Sequence, residues 1–238
     1  MLASTLWQKE VAEILANRRS LAIRIAFPTV IGGSFLMAAP PGYFTATLVT
    51  TLAAALGCFG TSITLSRART EGTLQRIVLT PLSRRRIVIE QLAVNSGVVF
   101  CQLLPLALIV AIRFGAYDFR FLVFLMALGA ALAAASLLGL LATVFASSTG
   151  EAALYSFLAL LPTLYLARVF DSGGLAGDLR SFVAAGVPFS YLQQALLATM
   201  GEGTTWSATA MAEASLVAGC AVVLLGALIA PRALRIEA

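Results

Sequence analysis

Side chains able to do chemistry are few in this chain, and their types exclude most reactions. Histidine is absent, which removes the commonest general base and metal ligand. Cys58, Cys101 and Cys220 each fall inside an apolar run, so they read as small buried hydrophobes rather than disulfides. No acidic pair, metal-ligand cluster or Ser/His arrangement stands out, so no catalytic residue, metal site or haem ligand is expected. What the chain does concentrate is positive charge. Six of its sixteen Lys and Arg residues sit in one island, Arg67 to Arg86, with long apolar runs on both sides.

Within the island the sequence is ordered. Glu71 and Gly72 open it, and Leu74, Ile77 and Val78 recur at helical spacing on one face. The Thr80–Pro81 step ends the short helix, because a residue before proline avoids the helical region. Arg84 to Arg86 then anchor the next apolar run at phosphate level. An ordinary cytoplasmic loop would explain the arginines. It would not explain the apolar face or the Glu-Gly-Thr-Leu start.

Isolated polar groups inside the apolar runs form a second set. Glu90, Asn95, Ser96 and Gln102 share one run. A carboxylate at mid-bilayer costs roughly 2.5–3.5 kcal/mol on insertion scales, but Glu90 lies about one turn from the edge. It either lines an inner vestibule or pairs with one of Arg84 to Arg86, the ion pair being favoured. Asn95 is deeper and makes either a helix–helix hydrogen bond or a cavity lining. Another run carries Thr45, Thr47, Thr50, Thr51, Thr61, Ser62 and Thr64, whose hydroxyls can bond their own helix backbone.

The elements holding these groups follow from composition. The chain is 60% hydrophobic and 11% charged over 238 residues, whereas soluble domains carry about 25% charged residues. A hydrocarbon core about 30 Å thick takes roughly 20 helical residues to cross. Six segments qualify, at about 21–39, 43–66, 87–112, 120–146, 152–170 and 207–230. The reading is an all-α polytopic membrane protein of six transmembrane helices, one transmembrane domain over 1–238. Pro28, Pro105 and Pro162 fall inside spans and should kink them. Gly129, Ala130, Ala133, Ala134, Ser136 and Gly139 make the fourth span a surface for close helix packing within the subunit.

Residues 1–20 suit an amphipathic helix in the membrane interface. Leu6, Trp7, Val11, Ile14 and Leu15 alternate with Lys9, Glu10 and Glu13, and Trp7 belongs at headgroup depth. The same stretch has no apolar core of signal-peptide type. Residues 171–206 are too apolar for a solvated loop; Gly186 and Pro188 break the segment near its middle, and Pro188, Ser190, Gln193 and Gln194 argue against a crossing. One or two short helices are expected to enter the outer leaflet without crossing it and to pack against the helix ends. With the N-terminus inside, twelve Lys and Arg residues fall on the cytoplasmic side and four outside. That asymmetry places both termini in the cytoplasm. The net charge of +5 is therefore topological, and no nucleic-acid partner is expected.

The run Glu71 to Arg84, EGTLQRIVLTPLSR, resembles the loop between the second and third spans of type-2 ATP-binding-cassette (ABC) exporter permeases. The layout resembles that family along the whole chain, and Val187 to Leu192 is similar to its Pro-containing stretch before the last span. The resemblance implies a coupling helix seated in a groove on a separate ATPase, with Glu71, Gly72, Thr73, Leu74, Arg76, Ile77, Pro81, Leu82 and Arg84 in the contact. It implies that the N-terminal helix, with Trp7, Glu10 and Glu13, also meets that ATPase. It further implies two membrane halves, hence a second copy of this chain or a related permease, with the second and fifth spans lining the path. Thr50, Thr51 and Tyr155 are then path candidates, beside Glu90 and Asn95. This chain has no G-x-x-x-x-G-K-[ST] phosphate loop, so ATP and Mg would be bound by the partner. The implied setting is a bacterial-type inner membrane, and the path candidates, hydroxylic and apolar rather than densely charged, point to an amphiphilic, lipid-like or drug-like cargo. A haem-exporter membrane subunit of cytochrome maturation is the alternative transport reading, and a non-transporting scaffold the alternative class.

Overall fold

A computed structural model describes residues 18–38, 41–70, 84–115, 118–167, 169–170, 184, 186–201 and 207–233. Trp7, Glu10, Glu13, Glu71, Gly72, Thr73, Leu74, Arg76, Ile77, Pro81 and Leu82 lie outside the described residues, as does most of 171–186. Seven helices form the described part: α1 Arg18–Met37, α2 Gly42–Thr70, α3 Arg84–Phe114, α4 Phe119–Phe145, α5 Thr149–Leu166, α6 Pro188–Thr199 and α7 Ala208–Ala233. There is no strand among them. The protein is an all-helical polytopic membrane protein.

Among the described residues, four helices are long and apolar enough to cross a membrane: α2, α4, and the stretches Ile89–Phe114 of α3 and Thr209–Gly226 of α7. Of the two other expected spans, α1 contributes a shorter apolar helix over Leu21–Met37, and α5 has 18 residues. α6 has 12 residues, about 18 Å at 1.5 Å per residue, well short of a bilayer core. Pro188 starts it at the first helical position, where the missing N–H costs nothing. Gly201, just beyond its end, has φ +78°, a left-handed backbone that favours glycine.

α4 is the central element and packs on α2, α3, α5, α6 and α7. Its small residues make that possible. Ala127, Ala131, Ala135, Gly139 and Ala142 are all buried. Of the expected small-residue surface, Ala130, Ala134, Ser136 and Gly139 are buried within the subunit, while Gly129 and Ala133 are only half-buried. α1 packs chiefly on α3, and α5 on α2 and α4. These peripheral helices keep apolar outer faces, as does α7. In water such faces would be a liability. Against lipid they cost nothing.

The turn between α4 and α5 is short and locally fixed. Ser148 caps α5, its Oγ accepting the Glu151 N–H at 3.2 Å. Glu151 reaches back, its carboxylate accepting the Ser147 N–H at 2.8 Å and the Ser147 hydroxyl at 2.7 Å. The arrangement is related to a capping box, with the carboxylate bonding the residue before the cap rather than the cap itself, and is carried by the S-S-T-G-E sequence.

Candidate functional site

Polar side chains in the bundle gather at three levels along α2. At its C-terminal end, Arg69 donates from its guanidinium to the Thr143 carbonyl in the last turn of α4. A cation there complements the negative end of the helix dipole. One turn earlier, the Ser66 hydroxyl donates to Thr149 Oγ1 at the start of α5, at 3.3 Å. The end of α2 that leads into the 71–83 segment is thus tied to both neighbours that turn at that end.

At mid-length, α2 and α4 approach closely, and Asn95 of α3 sits beside the crossing. A Cβ placed on Gly57 would lie 2.7 Å from Ala135 Cβ, and one placed on Gly139 would strike the Cys58 carbonyl. The Asn95 amide donates to Thr61 Oγ1 and, at 3.3 Å, to Ser136 Oγ; it also lies 3.5 Å from the Gly57 carbonyl. The Ser96 hydroxyl donates to Ser136 Oγ at 3.1 Å. Thr61 bonds its own helix at Gly57. Three helices are joined by side chains that would otherwise be stranded in an apolar medium. Of the two readings open for Asn95, the helix–helix hydrogen bond is the one present in the subunit. Replacing Asn95 by leucine should lower stability by about 1 kcal/mol, read from the unfolding equilibrium in mixed micelles. Unchanged stability would mean that the junction contributes nothing net.

At the opposite end, Tyr43 and Thr47 of α2 and Gln193 of α6 converge on the Val169 carbonyl beyond α5. Thr50 and Thr51 lie one turn deeper. Thr50 is fully enclosed, Thr51 half-buried, and neither hydroxyl has a hydrogen-bond partner among the described residues. Glu90 is half-buried in the first part of α3, and Arg84 begins that helix. The side chains of Arg84 to Arg86 lie outside the described set, so the expected Glu90 ion pair does too. Tyr155 is 37% exposed on the outer face of α5, beside Leu154, Phe157, Leu158, Leu161 and Tyr165. The structure thus separates the suggested path residues. Asn95 and Thr50 face the interior of their own bundle, and Tyr155 faces out of it.

Two connections were not foreseen from sequence. The sequence marks Arg69 only as a topological charge, and Gln193 only as a polar group arguing against a crossing. Both act on backbone carbonyls, which every residue carries and no sequence pattern marks.

A comparison with protein families matches the ABC-2 type transporter membrane domain to residues 1–200. The chain belongs to the ABC-2 type transporter family. As an ABC-2 permease it is a membrane component of an ABC transporter, a family that works with ABC ATPases. The matched region includes α1 to α6, the 71–83 segment and all three polar levels along α2. No curated protein matches the chain.

Proposed function

We propose that this ABC-2 permease is one membrane half of an exporter that moves an amphiphilic, lipid-like or drug-like cargo out of the cytoplasm. The family match over residues 1–200 carries the reading. In it, α1 and α5 complete six crossings, α6 enters the outer leaflet without crossing, and both termini are cytoplasmic in a bacterial-type inner membrane. A separate ATPase binds ATP and Mg and docks on the 71–84 helix and the N-terminal amphipathic helix.

A second copy, or a related permease, supplies the other half. The outer face of α5 faces the path between them. From Ala152 to Leu166 that helix carries no charge, and its exposed face combines leucine and phenylalanine with the hydroxyls of Tyr155 and Tyr165. Such a lining suits a molecule with a large apolar body and a few hydrogen-bonding groups.

ATP hydrolysis by the reconstituted complex tests the cargo class. Amphiphilic dyes and short-chain phospholipids should stimulate it, and neutral oligosaccharides should not. Stimulation by sugars alone would overturn the amphiphile reading.

A further inference from the structure

The Val169 carbonyl oxygen accepts three hydrogen bonds from two helices. Tyr43 Oη and Thr47 Oγ1 of α2 each donate at 3.0 Å, and Gln193 Nε2 of α6 donates at 3.1 Å. The Gln193 amide also donates to Thr47 Oγ1 at 3.2 Å, so glutamine, threonine and carbonyl close a ring. A carbonyl offers two lone pairs, and three donors oversubscribe it. The same residue is held from its other side, since its N–H reaches the Leu164 carbonyl at 3.2 Å and closes the end of α5. Val169 is 0% exposed and Gln193 3% exposed, so water does not compete for these bonds.

This matters for how α5 is held among the described residues. It packs mainly on α2 and α4, through contacts such as Ser66 with Thr149 and the Cys58 thiol with the Ser156 carbonyl at 3.9 Å. The Val169 peptide adds a third fastening to α2 and joins both helices to α6.

We propose that Gln193 is a positioning residue. Acting through the Val169 carbonyl, it fixes the C-terminal end of α5 against α2 and α6, and with it the place of the face that carries Tyr155 and Tyr165. The importance of that placement for transport rests on α5 lining the path, but the fastening itself does not.

Hydrogen exchange of the full-length protein in lipid nanodiscs, followed over residues 163–170, is the test. Gln193→Met and Thr47→Val each remove two of these bonds and should raise exchange there by at least about fivefold, the effect of one net hydrogen bond, while peptides from the middle of α4 stay unchanged. Thr47→Ser, which keeps the hydroxyl, should restore the parent pattern. Tyr43→Phe removes one donor and no packing volume; it should raise exchange locally as well, and it serves where the other variants fail to fold. Unchanged exchange at 163–170, an equal rise throughout α4, or Thr47→Ser behaving like Thr47→Val would each overturn the proposal. A chain that binds no ATPase would leave these exchange results intact, so failure of the exporter reading is distinguishable from failure of this one.

Discussion

Gly139→Leu prevents the bundle from assembling. A Cβ at this position strikes the Cys58 carbonyl, with the Cys58 carbonyl carbon and Thr61 Cβ both 3.1 Å away. The obstacle is α2 backbone, which cannot rotate aside as a side chain can. Separating α2 from α4 would also pull Gly57 from Ala135 and the Asn95 amide from Thr61 and Ser136. Overpacking a well-filled core typically costs about 1–3 kcal/mol, and a clash with backbone lies at or above the upper end. The expected result is loss of the monodisperse peak on size-exclusion chromatography of the detergent-solubilised variant. Gly139→Ala should lower the yield and the melting temperature in the same direction. Gly129→Ala, on the same helix with nothing within 4 Å of the new methyl, should behave as the parent. Parent-like behaviour of Gly139→Leu would mean that α2 and α4 do not cross where the structure puts them.

The second large effect is expected at the 71–84 segment. Changing Leu74 and Ile77 together to glutamate should uncouple the permease from its ATPase while leaving membrane insertion intact. Both residues lie outside the described residues, so the expectation rests on sequence spacing and the family pattern. Loss of a buried apolar anchor costs an interface about 2 kcal/mol or more, so association should fall by more than about tenfold. Insertion should survive because neither residue falls in one of the six apolar runs that the sequence marks as spans. Normal ATPase binding and transport in the double variant would remove this segment from the coupling contact.

Much of the architecture was legible because lipid imposes a simple rule. Long charge-poor runs must be helices that satisfy their own backbone. The runs at 43–66, 87–112, 120–146 and 207–230 accordingly correspond to α2, α3, α4 and α7. The helix ends were less legible. α2 continues through Arg67 and Arg69 to Thr70, and α3 begins at Arg84, because a helix does not stop where hydrophobicity does. Gly186, Pro188 and the glutamines correctly pointed to a short helix before α7, since proline sets a helix start and buried amides need partners. Hydropathy could not say which helix would be central. That follows from the alanines and glycines of α4, whose packing value depends on what faces them.

The polar groups were legible as types and not as partnerships. Asn95 reads equally well as a bond or a cavity lining until Thr61 and Ser136 are seen beside it. Thr50, grouped with Thr51 by sequence, is the fully enclosed one of the two. Val169 carries no chemical signal at all, and its importance arises entirely from the backbone oxygen presented to Tyr43, Thr47 and Gln193.

The most direct test of the central claim is purification of the native complex. The permease would be affinity-captured at native expression level from its own membranes in a mild detergent, and co-purifying proteins would be identified. A permease subunit of an ABC exporter should bring down a separate ATPase carrying a G-x-x-x-x-G-K-[ST] phosphate loop, in a fixed ratio, with ATP hydrolysis in the eluate. Recovery of an intact permease oligomer with no ATPase and no ATP hydrolysis would contradict the account.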